Sequence, residues 1–152
     1  MANADSVAQF YLDSFGSGRV GYVQTTQFKT TGNAVITIPL LSGGLTNGGA
    51  ANNSGGVIIR RITINNPTGT LATAANVSIS TSSDGANLVV ANTAFSSITA
   101  AGQFLDLTIA SPYAASKVVT GNLTQALYVN VGVASGNSNT ASIAVYGDVV
   151  SF

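Results

Sequence analysis

Asp5, Asp13, Asp84, Asp106 and Asp148 are the only side-chain carboxylates in this 152-residue chain, which contains no glutamate, histidine or cysteine. Without His and Cys there is no Ser–His or Cys–His nucleophile and no usual transition-metal ligand. A glycosidase-type mechanism needs two carboxylates across a cleft, one with a raised pKa. Only Asp106 and Asp148 fall on predicted strands, and their expected role is a structural ion pair with Arg60 or Arg61. Calcium loops need dense Asp and Asn at fixed spacing, which Asn47, Asn52, Asn53 and the lone Asp84-Gly85 do not supply. The run GSGRVG at residues 16–21 lacks the G-x-G-x-x-G spacing and any βαβ context. The three N-x-S/T triplets, at Asn52, Asn76 and Asn122, are expected by chance in so Asn- and Ser/Thr-rich a chain. No catalytic residue, metal site or cofactor is assigned, and the chain is not expected to be an enzyme.

Two residues carry sharper expectations. Strand alternation through GVIIRRITINN places Arg61 with Thr63 and Asn65 on a polar face, and Arg60 with Ile58, Ile62 and Ile64 on an apolar one. A charge on an apolar face needs a partner or an interface. Either Arg60 pairs with Asp106 or Asp148, within the subunit or across an oligomer contact, or a bulge or strand end carries it to solvent. Tyr113, in the loop SPYAAS, is the best candidate for an exposed sugar platform; the other reading has it packing that loop onto the domain.

The elements that would position these residues are strands. Apolar alternation or β-branched runs occur at residues 20–31, 34–41, 56–66, 76–81, 88–91, 103–109, 126–134 and 141–152, with Gly, Asn, Pro and Ser between them. In the sixth run Leu105, Leu107 and Ile109 form the apolar face. Pro39 suggests an edge or strand end. Ser82-Ser83-Asp84-Gly85 and residues 135–139 read as turns, and residues 42–55 as a long flexible loop. About eight short strands without αβ alternation predict an all-β fold, an antiparallel β-sandwich.

The N-terminus differs. Ser6 to Gln9 fits a capping box, Val7, Phe10 and Tyr11 follow at helical spacing, and Gly16 would stop a short helix. The predicted organisation is an arm or short helix at 1–17 and a β-sandwich domain at 18–152. The helix packs on its own domain, docks on a neighbour through Phe10, Tyr11, Leu12 and Phe15, or frays.

Length and hydrophobic content (45%) allow one domain with a real core. Only 7% of residues are charged, against about 25% in an average soluble domain, and the net charge is zero. The surface must therefore be Ser, Thr, Asn, Gln and Gly, with little repulsion between copies. Nucleic acid is not an expected partner, because phosphate binding needs clustered Lys and Arg and the only adjacent basic pair is Arg60-Arg61. No membrane span is expected, since no stretch approaches roughly 18 consecutive apolar residues. The first residues lack the basic region and apolar run of a signal peptide, so synthesis in a cytoplasm is the expectation.

RRITINNPTGTLATAANVSISTSSDGANLVVA (residues 60–91) resembles small decoration, or cement, proteins on the heads of tailed bacteriophages, where an N-P-T stretch leads into a V-x-I-x-T strand and a D-G or G-G turn. ALYVNVGVASGNSNTASIAVYGDVVSF (residues 126–152) resembles their closing hairpin. The resemblance covers about two-thirds of the chain, and its motifs are structural. It implies a jelly-roll-like sandwich, a homotrimer bound to the major capsid protein at three-fold or quasi-three-fold positions, and a place on the virion exterior. It carries over no catalytic residues and has no counterpart for the arm. The alternative is a phage fibre or tail domain, or another β-sandwich module, binding host-surface carbohydrate.

Overall fold

The computed structural model describes residues 18–25, 27–39, 55–71, 75–115, 117–121 and 124–151. Nine strands run through them: β1 (Gly18–Thr25), β2 (Gly32–Pro39), β3 (Gly55–Asn65), β4 (Asn76–Ser80), β5 (Leu88–Ala94), β6 (Leu105–Leu107), β7 (Val118–Gly121), β8 (Thr124–Val133) and β9 (Ala141–Ser151). The described residues contain no α-helix, only two 3-10 turns at Gln27–Lys29 and Tyr113–Ala115.

The strands form two antiparallel sheets. One has the order β1-β9-β3, with β6 and β7 end to end along the other edge of β3. The second has the order β2-β8-β4-β5. Period-two alternation decides which side chains face inward. In β2, Ala34, Ile36 and Ile38 are buried while Asn33, Val35 and Thr37 are exposed. Leu127, Val129 and Val131 of β8 and Val77 and Ile79 of β4 continue that inner face, and Val57, Ile59, Ile62, Ile64, Ile143 and Val145 of the first sheet complete one apolar cluster. Phe28 and Phe95 join it edge to face, with ring centroids 5.0 Å apart.

The expected all-β architecture of antiparallel strands is present, with differences in detail. The run at 20–31 ends as a strand at Thr25, because Phe28 turns into the core from a 3-10 turn. The β7 strand was not anticipated; its four residues are too few to display a period. The β6 strand is shorter than residues 103–109, although Leu107 is buried and Leu105 and Ile109 pack against the core. Pro39 closes β2, an edge strand.

Residues 126–152 do not form a closing hairpin. The strands β8 and β9 lie in opposite sheets. Their connection is tied to the segment after β3, where the Asn137 and Asn139 side-chain amides both donate to the Thr70 carbonyl, at 3.1 and 2.9 Å. The Thr68 amide donates to the Thr140 carbonyl at 2.9 Å. These bonds carry the chain over the end of the core instead of turning it back within one sheet. The expected arm at 1–17, with Phe10, Tyr11, Leu12 and Phe15, lies outside the described residues, as does the loop at 42–55 up to β3.

Candidate functional site

The charged residues of β3 sit at a bulge. Ile59 pairs with Gly147 and Arg61 with Tyr146, so Arg60 is the extra residue that the bulge inserts between two successive register pairs. The inserted residue reverses the alternation: Val57 and Ile59 face the core before it, Ile62 and Ile64 after it. The expected apolar-face position of Arg60 beside Ile58, Ile62 and Ile64 is therefore corrected, because unbroken alternation does not survive the bulge. Arg60 reaches the surface and its Nε donates to Asp148 Oδ2 at 2.8 Å. Arg61 holds Asp106 with both ends of its fork, Nε to Oδ1 at 2.7 Å and Nη2 to Oδ2 at 3.2 Å. Each aspartate is thus held by its own arginine.

On the other edge of β3, β6 covers residues 62–64 and β7 covers residues 55–58, so neither pairs with residues 59–61. A cleft of about 430 Å³ opens at this gap, lined by Ile59, Arg60, Arg61, Asp106, Leu107, Ile109 and Ala114. A smaller recess of about 200 Å³ adjoins it, lined by Arg61, Thr63, Asn65, Phe104 and Tyr146. Phe104 is 62% exposed, and the Arg61 guanidinium lies 5.9 Å from the centroid of the Tyr146 ring.

The opposite sheet presents a different outer face. Val35 pairs with Tyr128, Tyr128 with Ser80 and Ser80 with Leu88, a row that crosses all four strands. Val35 and Leu88 are 49% and 40% exposed. Asn33, Asn130 and Ser78 form the next row. Asn76 accepts the Val133 amide through Oδ1 at 2.9 Å, and that oxygen would have to shift to admit a Cβ at Gly132. No charged side chain lies on this face among the described residues; Asp84 is beyond it in the β4–β5 turn.

Tyr113 does not offer a platform. It is 5% exposed, its hydroxyl lies 3.5 Å from the Thr81 hydroxyl, and Lys117 Nζ sits 5.0 Å from its ring centroid. The 3-10 turn that carries it folds the ring against the core, and this corrects the sugar-platform expectation for Tyr113. Sequence reasoning did not single out Phe104, Tyr146 or the row from Val35 to Leu88. Phe104 was readable as the polar-side neighbour of Leu105, but its exposure depends on what covers β6.

Among the described residues no three acidic or other metal-ligating side chains converge, and no helix is long and apolar enough to cross a membrane. Searches of protein-family models, curated proteins and solved structures found no match to this chain. The functional reading therefore rests on the two faces.

Proposed function

We propose that this protein is a non-enzymatic virion component that binds the outer surface of an assembled phage capsid and stabilises it, as a decoration or cement protein acting as a homotrimer on the major capsid protein. The observation that carries the reading is the charge-free outer face of β2-β8-β4-β5, crossed by the row from Val35 to Leu88. Docking such a face strips water from no ion, so it avoids the desolvation cost that buried charges impose. The apolar groups in the row supply the gain from burial.

The strand order supports the finer fold reading, a jelly roll. With β6 and β7 taken as one interrupted strand, the chain crosses between two four-stranded sheets at every connection except β4 to β5, β1-β9-β3-β6 against β2-β8-β4-β5. A ligand that binds only the assembled shell stabilises it by mass action, about 2.7 kcal/mol per site at a hundredfold excess over Kd. A trimer adds avidity from several weak contacts held together.

The test uses undecorated shells of the phage that carries the gene. The protein is expected to co-sediment with them and raise their disruption temperature, and Val35→Lys with Leu88→Lys is expected to abolish both effects while the domain stays folded. Co-sedimentation unaffected by the double variant would move the docking surface elsewhere. Failure of the unaltered protein to bind shells would end the decoration reading.

A further inference from the structure

The recess beside Phe104 faces away from the charge-free sheet, and its chemistry is independent of any role on a capsid. We propose that it binds one uncharged pyranose unit of a glycan, with Phe104 as the stacking platform, Tyr146 and Asn65 as polar groups within the recess, and Asp106 reached from the adjoining cleft.

Phe104 is the most exposed of the large apolar side chains described, at 62%. Its position is built. The preceding Gln103 accepts the backbone amides of Thr99 and Ala100 through Oε1, at 2.6 and 3.0 Å, and Gly102, in a left-handed conformation at φ 76°, donates to the Pro67 carbonyl. The strand β6 begins immediately after Phe104. An exposed phenyl ring on a bonded stretch of backbone is a ready stacking surface, because the chain that carries it is ordered before a ligand arrives.

The polar groups match a sugar better than the other small ligands of similar size. Asp106 is held in one orientation by the two-pronged Arg61 contact, and its side chain remains 51% exposed. A carboxylate has about four lone-pair sites, so it still accepts hydroxyl donors. Asn65 and Thr63 also line the recess, joined by the bond from Asn65 Nδ2 to Thr63 Oγ1 at 3.2 Å. Phosphate and acidic sugars are disfavoured, since the neighbouring guanidinium is already neutralised and the free lone pairs belong to a carboxylate. A single Asp does not make a cation site. A volume of about 200 Å³ is smaller than a pocket for a drug-sized molecule, about 300 Å³ or more, and suits one ring. A pyranose offers a C–H face to the phenyl ring and hydroxyls at its rim, which is the division the recess presents.

The experiment is a titration of the full-length, isotopically labelled protein with the methyl glycosides of glucose, galactose, mannose and N-acetylglucosamine, followed by backbone amide NMR. At least one glycoside is expected to shift amides at residues 61–65, 103–107 and 144–147, saturating in the millimolar range. Phe104→Ala, a change at an exposed side chain, is expected to weaken that binding at least tenfold, and Phe104→Trp to retain it. Val35→Ser on the opposite face is expected to leave it unchanged. Comparing the methyl glycoside with an oligosaccharide ending in the same sugar separates recognition of one unit from that of a longer chain. No shift with any of the four glycosides, or shifts that survive Phe104→Ala, would overturn the proposal. Shell binding is scored separately, so either idea can fail without the other.

Discussion

At the scale of single residues, the bulge at Arg60 depends on its neighbour across the sheet. A Cβ on Gly147 would press into the Ile58 carbonyl group and approach the Ile59 Cα. Backbone cannot swing aside as a side-chain tip can, so Gly147→Ala forces β3 and β9 apart where they must stay paired. The expected cost is about 2–3 kcal/mol, read as a lower urea midpoint. The ion pair beside it is worth far less. Arg60 and Asp148 are both well solvated, and Arg60→Ala is expected to change stability by no more than about 1 kcal/mol; a larger loss would show that the side chain matters through packing. In the β4–β5 turn, the Ala86 amide, donating at 2.9 Å, and then the Ser82 side chain hold the Asp84 carboxyl below its ordinary value. The sign follows from the depressed folded-state pKa: the bond is fully present above the ordinary aspartate range and is lost as pH falls through the lowered value. The Ala86 amide resonance is expected to titrate below the ordinary aspartate pKa. A midpoint at or above that value would mean the bond is not made in solution.

At the scale of elements, the ends of the core are closed by segments outside the sheets. Phe28 enters from the turn between β1 and β2, Phe95 from the chain just after β5, and the Ser135 amide donates to the Phe28 carbonyl. Phe95→Ala removes a fully buried ring and its edge-to-face partner, and about 3–5 kcal/mol of stability should be lost. Thermal unfolding of the variant checks this. By contrast, Val35 and Leu88 lie on the outer face, and lysine at either is expected to stay within about 0.5 kcal/mol of the parent. That difference makes the outer-face variants clean probes of docking.

At the scale of the whole molecule, the two outer faces are electrically unlike. The paired charges of Arg60, Arg61, Asp106 and Asp148 belong to one sheet, and the other is bare of charge among the described residues. Association through the bare face is expected to be nearly independent of salt, since screening acts on charges. Shell co-sedimentation in low and high sodium chloride tests this, and a steep loss with salt would exclude that face as the main contact. Light scattering of the full chain and of a chain lacking residues 1–16 tests self-association. A trimer in both places the trimer contact within residues 17–152; a monomer in both removes the trimer from the proposal.

Composition and local pattern by themselves determined much. The period-two runs predicted an all-β domain, and most strands lie where alternation put them, because alternation is a property of neighbours along the chain. Tertiary structure decided what depends on residues distant in sequence. Whether Arg60 points inward turned on a register shift in the pairing of β3 with Gly147 and Tyr146 of β9, far away in the sequence. Whether residues 126–152 make a hairpin turned on the partners of the two strands, β2 and β4 for β8 and β1 and β3 for β9. Whether Phe104 or Tyr113 is exposed turned on which one the neighbouring loops cover. A bulge, a crossing between sheets and the covering of a ring are all settled by what packs opposite, and local periodicity carries no record of it.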